Sequence, residues 1–417
     1  MEGDLTGRRE EGRMAAGRTE GRKPLAGLRV IDAGVLLAGP FAAALLGDFG
    51  ADVIKVEHPR DGDPLRQLGP KKGGVGLWWK VTARNKRCIT LDLSKKEGAE
   101  IFLELVRTAD VLIENYRPGT LERWGLEERR LREGNSGLVL LRISGYGQTG
   151  PYRRRPAFGR MAEAMGGLSN LVGDPAGPPA ALGYPLGDLV AGLFGALAVM
   201  MALYWRDKRG GRGQTVDLAM YEAVFRLLEW DAIAYDQLGV VHERRGAEVE
   251  YAAPSGTWRT REGRYVTVAA TTERVWRRLV EAMGKPEVAR DERFRSNESR
   301  MRHREEVNRV VGEWIAERSA EELGKVLSEH DVPWAVVYDI RDIFGDEQYR
   351  ERGMLLKVKD GELGEAVVCG VVPKLSETPG QVEWLGPGRG QHNEEVYCGE
   401  LGYSRERLEE LRAAGVI

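Results

Sequence analysis

The sequence predicts an α/β protein in which helices cover a parallel sheet, together with a smaller α+β domain. Between Leu28 and Ala219, short apolar runs alternate with helix-forming segments, which is typical of a parallel sheet flanked by helices. After Leu238 the composition becomes polar and charged, and short strands are followed by charged helices. A chain of 417 residues is also long for a single domain, so we expect at least two.

Composition excludes several classes of function. Hydrophobic residues make up 42% and charged residues 30% of the chain, as in ordinary globular proteins. The net charge of −2 gives no general attraction to nucleic acid or to a membrane surface. Three cysteines without a CxxC pair and five scattered histidines predict neither a disulfide framework nor a metal site. We therefore expect a cytoplasmic protein without a metal and without nucleic-acid or membrane partners.

The first segments of the chain set the pattern. Residues 1–22 carry five acidic and five basic side chains among Gly, Ala and Thr, which predicts a disordered tail. A strand over Leu28–Asp32, a helix over Pro40–Phe49 and a strand over Asp52–Glu57 follow. The turn Asp32–Pro40 lacks the GxGxxG pattern, so a dinucleotide site is not predicted there.

The same alternation continues along the chain. Further strands are predicted at Cys88–Leu93, Asp110–Glu114, Leu138–Ile143 and Thr215–Ala219, with helices at Lys95–Arg107 and from Tyr221 to about Leu238. Ligands of open parallel sheets bind beyond the carboxyl ends of the strands. The loops Ala33–Pro40, Glu114–Gly119 and Ser144–Gly150 should therefore share one face of the sheet.

Asp188 lies where a loop rich in Gly and Pro, Gly183–Asp188, meets the apolar run Leu189–Trp205. Asp is a favoured N-cap residue, so capping is one interpretation. A carboxylate close to helix N–H groups at the edge of a core is also a candidate for catalysis. The run of seventeen residues with two glycines is marginal for a membrane span, and a buried helix fits it better.

The smaller domain is predicted from the composition beyond residue 238. Gly239–Tyr251 is polar and is expected to be a linker, and strands at Ser255–Thr260 and Arg264–Ala270 precede a helix at Glu305–Arg318. Apolar, Gly-rich sequence after Trp334 indicates a return to the large domain. The predicted boundaries are 23–238 and 337–417 for the large domain, and 239–336 for the linker and small domain.

Four ordered motifs resemble those of the class III CoA-transferases of the CaiB/BaiF type, the family that includes formyl-CoA transferase. The motifs are Leu37–Pro40 with Leu46–Glu57, Asn85–Leu93, Glu114–Gly119, and Gly187–Asp188 followed by Gly211–Gln214. The similarity covers Pro24–Ile417 and is weakest between Gly239 and Val336. Each motif alone is weak, whereas the ordered set is specific.

The resemblance implies a Rossmann-like large domain built from both chain ends, an inserted small domain and an interlocked homodimer. It implies that Asp188 is a nucleophile and that the substrates are acyl-CoA and a small carboxylic acid, with no permanently bound cofactor. By motif, the coenzyme A contacts fall on Leu37, Ala38, His58, Leu91, Asp92, Leu93, Ser94, Asn115, Tyr116, Arg117, Arg123, Pro156, Ala157, Phe158 and Gly159. His58 stands where formyl-CoA transferase has Arg, which puts that phosphate contact in doubt.

CoA is an anion, and basic residues close to the motif loops are candidates for its phosphates because an Arg fork suits phosphate. The candidates are Arg84, Lys86, Arg87, Arg117 and Arg123. Oxyanion donors could come from the glycines of Gly145–Gly150 or of Gly166–Gly167, and the sequence does not choose between them. The glycine-rich flap of some family members has no counterpart around Ala252–Gly256.

The predicted function is transfer of CoA from an acyl-CoA donor to a carboxylic acid through an aspartyl-CoA thioester. A carboxylate has a reference pKa near 3.9, so it is an anionic nucleophile at neutral pH without an adjacent base. An α-methylacyl-CoA racemase on the same fold is one alternative, but its second acid/base position is Phe158 here, and Phe carries no proton. A non-catalytic CoA-binding accessory protein is the other, and the presence of Asp188 argues against it.

Overall fold

The structure, a computed structural model, describes residues 23–417, and the tail predicted for residues 1–22 lies outside that range. The described chain forms two compact units. The first contains the residues up to Leu168, Leu182–Glu229 and Arg350–Ile417, and the second contains Ser169–Ala181 and Trp230–Tyr349. The first unit therefore combines both ends of the described chain, and the second unit is formed mainly by the middle.

Within residues 23–417 the strands are β1 (Arg29–Asp32), β2 (Asp52–Glu57), β3 (Lys71–Lys72), β4 (Val75–Gly76), β5 (Lys86–Thr90), β6 (Val111–Glu114), β7 (Val139–Ser144), β8 (Thr215–Ala219), β9 (Ser255–Arg259), β10 (Tyr265–Ala269), β11 (Trp334–Val336), β12 (Leu355–Asp360) and β13 (Gly364–Cys369). The α-helices are α1 (Ala38–Asp48), α2 (Leu77–Thr82), α3 (Lys96–Arg107), α4 (Thr120–Arg123), α5 (Glu128–Gly134), α6 (Gly159–Met165), α7 (Leu168–Leu171), α8 (Leu186–Lys208), α9 (Met220–Phe225), α10 (Asp231–Leu238), α11 (Glu273–Ala282), α12 (Asn297–Arg302), α13 (Arg304–Ala316), α14 (Ala320–Glu329), α15 (Ile340–Gly345), α16 (Glu347–Glu351) and α17 (Arg405–Ala413).

The first unit is built on a six-stranded parallel sheet in the order β5-β2-β1-β6-β7-β8. Successive side chains of a strand point to opposite faces of a sheet. Accordingly Val30 and Val53 belong to one core cluster, and their neighbours Ile31 and Ile54 belong to another. The predicted α/β class with helices on both faces of a parallel sheet is confirmed.

Each face of this sheet has its own helical layer. Helices α1 and α8 bury their side chains with Val30 and Val53, whereas α3 and α17 pack on the Ile31 side. The C-terminal segment is tied to strand β5, because the Tyr397 hydroxyl donates to the Thr90 carbonyl at 2.7 Å and Asn393 Nδ2 donates to Thr90 Oγ1 at 2.7 Å. This attachment explains why residues after Arg350 belong to the first unit.

The second unit has a three-stranded antiparallel sheet in the order β11-β10-β9. Helices α11, α13 and α14 cover it, and Trp276 and Trp314 are buried in its core. Its boundaries differ from those predicted at 239 and 336. The predicted linker Gly239–Tyr251 is attached to this unit, since Arg244 Nη1 donates to the Asn170 carbonyl at 2.9 Å and Asn308 Nδ2 to Glu248 Oε1 at 2.6 Å.

The prediction of one helix from Tyr221 to Leu238 is wrong. The structure has two helices, α9 and α10, separated by residues 226–230. The connecting residues form turns with hydrogen bonds between residues three apart instead of four. The Leu227 N–H donates to the Val224 carbonyl, and the Leu228 N–H donates to the Phe225 carbonyl. The apolar composition did not reveal the break because both segments favour helix individually.

Helix α8 begins before Asp188. Its N-cap is Pro185 and Asp188 is its third residue, so the interpretation of Asp188 as the N-cap is wrong. By length and apolar composition α8 could cross a membrane. In this structure one side of it packs on the sheet and on α1, where a Cβ at Gly192 would lie 2.8 Å from the Ala38 carbonyl oxygen. The glycine permits the close packing that places the start of α8 beside the carboxyl ends of the strands.

Candidate active site

The loop after β1 is fixed by polar side chains. Asn115 Oδ1 accepts from the Val35 N–H at 2.7 Å, and Asn115 Nδ2 donates to the Val35 carbonyl at 2.8 Å. Leu36 has a φ of 62°, and its N–H donates to Asp63 Oδ1 at 3.1 Å. Buried Lys55 pairs with Asp63 at 3.0 Å. Asn115, which was predicted as a CoA contact, thus fixes the conformation of this loop through two hydrogen bonds to Val35.

Three of the basic residues considered for phosphate binding are committed to ion pairs. The pairs are Arg84 with Asp48, Lys86 with Asp32 and Arg87 with Asp52. Lys86 is fully buried and also donates to the Pro40 carbonyl at 2.6 Å. A buried charge with its partners satisfied stabilises its surroundings and is not available to an incoming anion. These residues are therefore structural.

The loop after β6 is held by Glu114. Its Oε2 accepts from the Tyr116 N–H at 2.7 Å and its Oε1 accepts from Arg142 Nε at 2.7 Å. Burial raises the pKa of Glu114 to about 7, although the charge of Arg142 acts in the opposite direction. The carboxyl group fixes the start of the 115–119 loop and so presents Tyr116 and Arg117 beyond the sheet.

Asp188 is half-buried at the start of α8, and its carboxylate accepts a hydrogen bond from the Gly159 N–H, the first residue of α6. Burial raises the pKa of Asp188 to about 6, and the nearby carboxylate of Glu163 raises it further, whereas the N–H groups of Gly159 and of Asp188 itself lower it. At neutral pH the group is an anion that is more basic than free aspartate. Such a carboxylate is a competent nucleophile.

Two glycines let α6 and α8 meet. A Cβ on Gly159 would lie 2.1 Å from Asp188 Oδ2, and a Cβ on Gly187 would lie 2.6 Å from the Gly159 carbonyl oxygen. Neither position tolerates a side chain without displacement of the carboxylate or of the backbone. Gly159 therefore contributes to the site by having no side chain, as well as through its N–H.

Asp188 opens into a cleft of about 100 Å³, the Asp188 cleft, formed by the loops that follow β1, β6 and β7. Its lining includes Ala38, Asn115, Tyr116, Arg117, Ser144, Arg153, Arg155, Ala157, Phe158 and Asp188. The predicted convergence of the loops after these strands at one face is confirmed. Phe158, at the position where a racemase has its His, is 65% exposed at this cleft.

A second cleft of about 340 Å³, the His58 cleft, lies beside the first and shares Val35 and Tyr116 with it. It collects the predicted residues His58, Leu91, Asp92, Leu93, Ser94 and Tyr116. The His58 imidazole lies 3.9 Å from Asp92, and Asp92 Oδ1 accepts from the Ser94 hydroxyl at 2.6 Å. The two clefts are therefore neighbours, and Asp188 lines the smaller one.

Apart from Gly159, which contacts Asp188, three predicted residues lie outside both clefts. Leu37 packs in a small core cluster with Leu65 and Trp79. Arg123 donates to the Gly119 carbonyl at 3.1 Å and to Thr120 Oγ1 at 3.0 Å, within its own turn of helix. Pro156 is exposed, and its neighbour Ala157 lines the Asp188 cleft in its place. Motif matching selected segments that border the two clefts, whereas the direction of each side chain depends on tertiary packing.

The structure also brings residues to the site that the sequence did not single out. Ser144 is 6% exposed, and its Oγ has no hydrogen-bond partner among the described residues. Arg153 and Arg155 line the mouth of the Asp188 cleft. They belong to three consecutive arginines, residues 153–155, and this basic run could have indicated an anion-binding segment in the sequence. Glu163 is 3% exposed and contacts the first turn of α8.

The chain is similar to known proteins in sequence and in overall structure. The model of CoA-transferase family III matches residues 25–393. The chain belongs to CoA-transferase family III. Its sequence is 44% identical to the alpha subunit of succinyl-CoA–L-malate CoA-transferase from Chloroflexus aurantiacus, over 94% of this chain and 92% of that protein.

Further comparisons agree with the family. Succinyl-CoA–D-citramalate CoA-transferase from Chloroflexus aurantiacus is 42% identical, over 95% of this chain and 98% of that protein. A crystal structure of a CaiB/BaiF family protein from Brucella suis superimposes with a TM-score of 0.80 at 31% identity, over 90% of this chain and 99% of that one. The protein is thus a CoA-transferase.

Proposed function

We propose that this family III CoA-transferase moves CoA from succinyl-CoA to a short dicarboxylic acid through an aspartyl-CoA thioester at Asp188. The observation that carries the proposal is the half-buried Asp188 carboxylate in the lining of the Asp188 cleft, beside the His58 cleft. The choice of succinyl-CoA and of a dicarboxylic acceptor is supported by the relatives, whose names specify succinyl-CoA with L-malate or with D-citramalate.

The reaction needs no proton transfer and no redox partner. An Asp188 oxygen attacks the thioester carbon, the C–S bond breaks, and CoA leaves as a thiolate from a mixed anhydride. The thiolate then attacks the aspartyl carbonyl carbon and expels succinate, which leaves Asp188 as the CoA thioester. The acceptor carboxylate attacks that thioester to form a second anhydride, and the returning thiolate releases the new acyl-CoA and the Asp188 carboxylate.

Other side chains of the Asp188 cleft have roles in this scheme. The Ser144 hydroxyl, buried and without a partner in the described chain, is a donor for the oxyanion that each attack creates. Arg117 and Arg153 form no ion pair with any described residue and stand at the mouth of the cleft. Their charges suit the anionic phosphates of CoA and the carboxylates of the acids.

Racemisation is the less favoured function. It needs an acid/base group on each side of the substrate carbon, and Phe158 occupies the second position. Glu163, the other acid near Asp188, is buried and accepts a backbone hydrogen bond. A racemase would exchange the α-hydrogen of a 2-methylacyl-CoA with deuterium from solvent, and we expect no such exchange here.

We further propose a homodimer. Four apolar side chains at helical spacing on α8 are about half-exposed or more, and they form what we call the outer face of α8: Leu193, Leu197, Met201 and Tyr204. An apolar surface of this kind on a soluble enzyme marks an interaction site. A second copy of the chain is the occupant that the family resemblance implies.

The test of the catalytic proposal uses purified protein with succinyl-CoA and a panel of acids, namely L-malate, citramalate, glutarate and formate. We expect new thioesters with the dicarboxylic acids, detected by chromatography. Asp188→Ala and Asp188→Asn should lower the rate by at least about 1,000-fold, as expected for loss of a nucleophile. Asp207→Asn, at the other end of the same helix, is the matched control and should retain activity.

Hydroxylamine trapping during turnover identifies the covalent site. Peptide mass spectrometry should find the hydroxamate on Asp188 in the wild-type enzyme and in the Asp207 variant only. Transfer activity that survives in Asp188→Ala would contradict the proposed nucleophile. Transfer without any dicarboxylic preference would contradict the proposed acceptor class.

A further inference from the structure

An acidic side chain of each of the helices α6 and α8 accepts a hydrogen bond from a backbone N–H at the start of the other helix. Neither helix has a side-chain cap at its own N-terminus, where Phe158 and Pro185 stand. Instead the Gly187 N–H of α8 donates to Glu163 Oε1 at 2.9 Å, and the Gly159 N–H of α6 donates to the Asp188 carboxylate. Orphan N–H groups at a helix start need acceptors. Each helix therefore supplies the acceptor that the other requires.

Glu163 places a buried carboxylate where a neutral hydrogen-bond acceptor would also serve. It is 3% exposed and forms no ion pair with any residue in the described part of the chain. A neutral Gln would accept the same hydrogen bond from Gly187 without the cost of burying a charge. The property that distinguishes the carboxylate from an amide is its negative charge. The residue of the first turn of α8 that this charge would affect is Asp188.

The charges around Asp188 come from three directions. Glu163 on α6 is the negative group, Arg153 and Arg155 lie on the segment after β7, and Arg117 follows β6. The arginines are exposed at the mouth of the cleft, where water screens them, whereas Glu163 lies in the protein interior. Charge interactions are stronger where water is excluded. The repulsion between Glu163 and Asp188 is consistent with the raised pKa of Asp188.

We propose that Glu163 is a positioning residue that fixes the first turn of α8 through Gly187 and favours acylation of Asp188 by electrostatic repulsion. This inference rests on the proposed function, in which Asp188 becomes a neutral CoA thioester. Thioester formation replaces one carboxylate oxygen by the CoA sulfur, and that oxygen leaves in the succinate product. The negative charge of Asp188 disappears, and with it the repulsion from Glu163. The covalent intermediate is thereby stabilised relative to the free carboxylate.

The test compares Glu163→Gln with Glu163→Asp. Gln retains the acceptor for the Gly187 N–H and removes the charge, whereas Asp retains the charge and shortens the reach to Gly187. Each enzyme is equilibrated with fixed concentrations of succinyl-CoA and succinate, and intact-protein mass spectrometry measures the ratio of CoA-bound to free enzyme. We expect Glu163→Gln to lower that ratio about tenfold, which corresponds to one pKa unit of lost repulsion.

The pH profile of the first half-reaction supplies a second measurement that a purely structural role would not move. In Glu163→Gln the acid limb should shift to lower pH by about one unit, because the Asp188 carboxylate loses its negative neighbour. In Glu163→Asp the acid limb should stay in place while the maximal rate falls. Glu222→Gln, an exposed acid on α9, is the matched control and should leave the ratio and the profile unchanged.

The outcomes separate the two proposals. If the wild-type enzyme forms the adduct, and Glu163→Gln shows the same adduct ratio and the same acid limb, the role of Glu163 is overturned and the nucleophile is retained. A wild-type enzyme that transfers CoA without any adduct on Asp188 overturns both. Circular dichroism of each variant shows whether it is folded. If Glu163→Gln is not, Glu163→Asp still tests the charge effect: it retains the negative group, so a tenfold loss of the adduct ratio in this variant would overturn the proposed repulsion.

Discussion

The surroundings of Asp188, the proposed nucleophile, change the pKa of its carboxylate but leave it ionised at neutral pH. Burial and the neighbouring Glu163 raise its pKa to about 6, and the N–H groups of Gly159 and of its own backbone limit the increase. A carboxylate with a pKa near 6 is still mostly an anion at pH 7. It is also more basic than free aspartate, and nucleophilic strength generally increases with basicity. The environment therefore adjusts the nucleophile without an adjacent base.

The raised pKa predicts a pH dependence of the first half-reaction. In the proposed mechanism only the ionised form of Asp188 attacks the thioester, so the rate should fall as the pH decreases through about 6 and should be level above about 7. The measurement is kcat/KM for adduct formation from succinyl-CoA between pH 5 and 8. A midpoint near 4, the ordinary value for aspartate, would contradict the effect of burial.

At the scale of elements, the site depends on the junction of two helix starts. Helices α6 and α8 both begin with glycine within their first two residues, at Gly159 and Gly187. The absence of Cβ atoms lets the helix ends approach until Gly159 reaches Asp188 and Gly187 reaches Glu163. The parallel sheet supports this junction, because β7 precedes α6 and α8 packs on β7.

Gly159→Ala should disable the enzyme through this junction. The new Cβ would lie 2.1 Å from Asp188 Oδ2, so the carboxylate must move from its position. We expect a decrease in kcat of at least about 100-fold, since a misplacement of about 1 Å has that effect on catalysis. Gly399→Ala, where a Cβ meets no atom within 4 Å, is the control. Equal activity of the two variants, measured with succinyl-CoA and L-malate, would contradict the close contact.

At the scale of the whole molecule, α8 faces two environments. Its inner side, including Ala191 and Val199, is buried in the core of the first unit, and its outer face is apolar and exposed. This explains why the helix has the composition of a membrane span while carrying the proposed nucleophile in its first turn. A subunit interface would bury the outer face and would link assembly to the position of Asp188.

Met201→Glu should therefore convert the proposed dimer to a monomer, because a charge would be buried without a partner. Light scattering after size-exclusion chromatography measures the mass, and the wild-type dimer should be close to twice the 46.3 kDa of one chain. Val367→Glu, on the β12–β13 hairpin, is the control for an exposed apolar residue elsewhere. A monomeric wild-type enzyme, or one that binds lipid vesicles through this face, would contradict the assignment.

Local sequence was sufficient for the features that depend on neighbouring residues. The apolar runs placed β2 and β8 at their observed bounds, and alternation with helices gave the parallel sheet. The transition from a Gly-rich loop to an apolar run singled out Asp188. The ordered motifs gave the family, and the loops Glu114–Gly119 and Ser144–Gly150 were expected on the face where the Asp188 cleft lies.

Only the tertiary structure decided what depends on residues distant in the sequence. Arg84, Lys86 and Arg87 resembled phosphate ligands until their acidic partners became known. Glu163 is 24 residues from Gly187, and no pattern in the sequence links them. Burial, ion pairing and the direction of a side chain are set by packing between separate segments. The sequence by itself therefore determined the fold class and the family and singled out the candidate nucleophile, and the packing of α6 against α8 determined how that residue is held and charged.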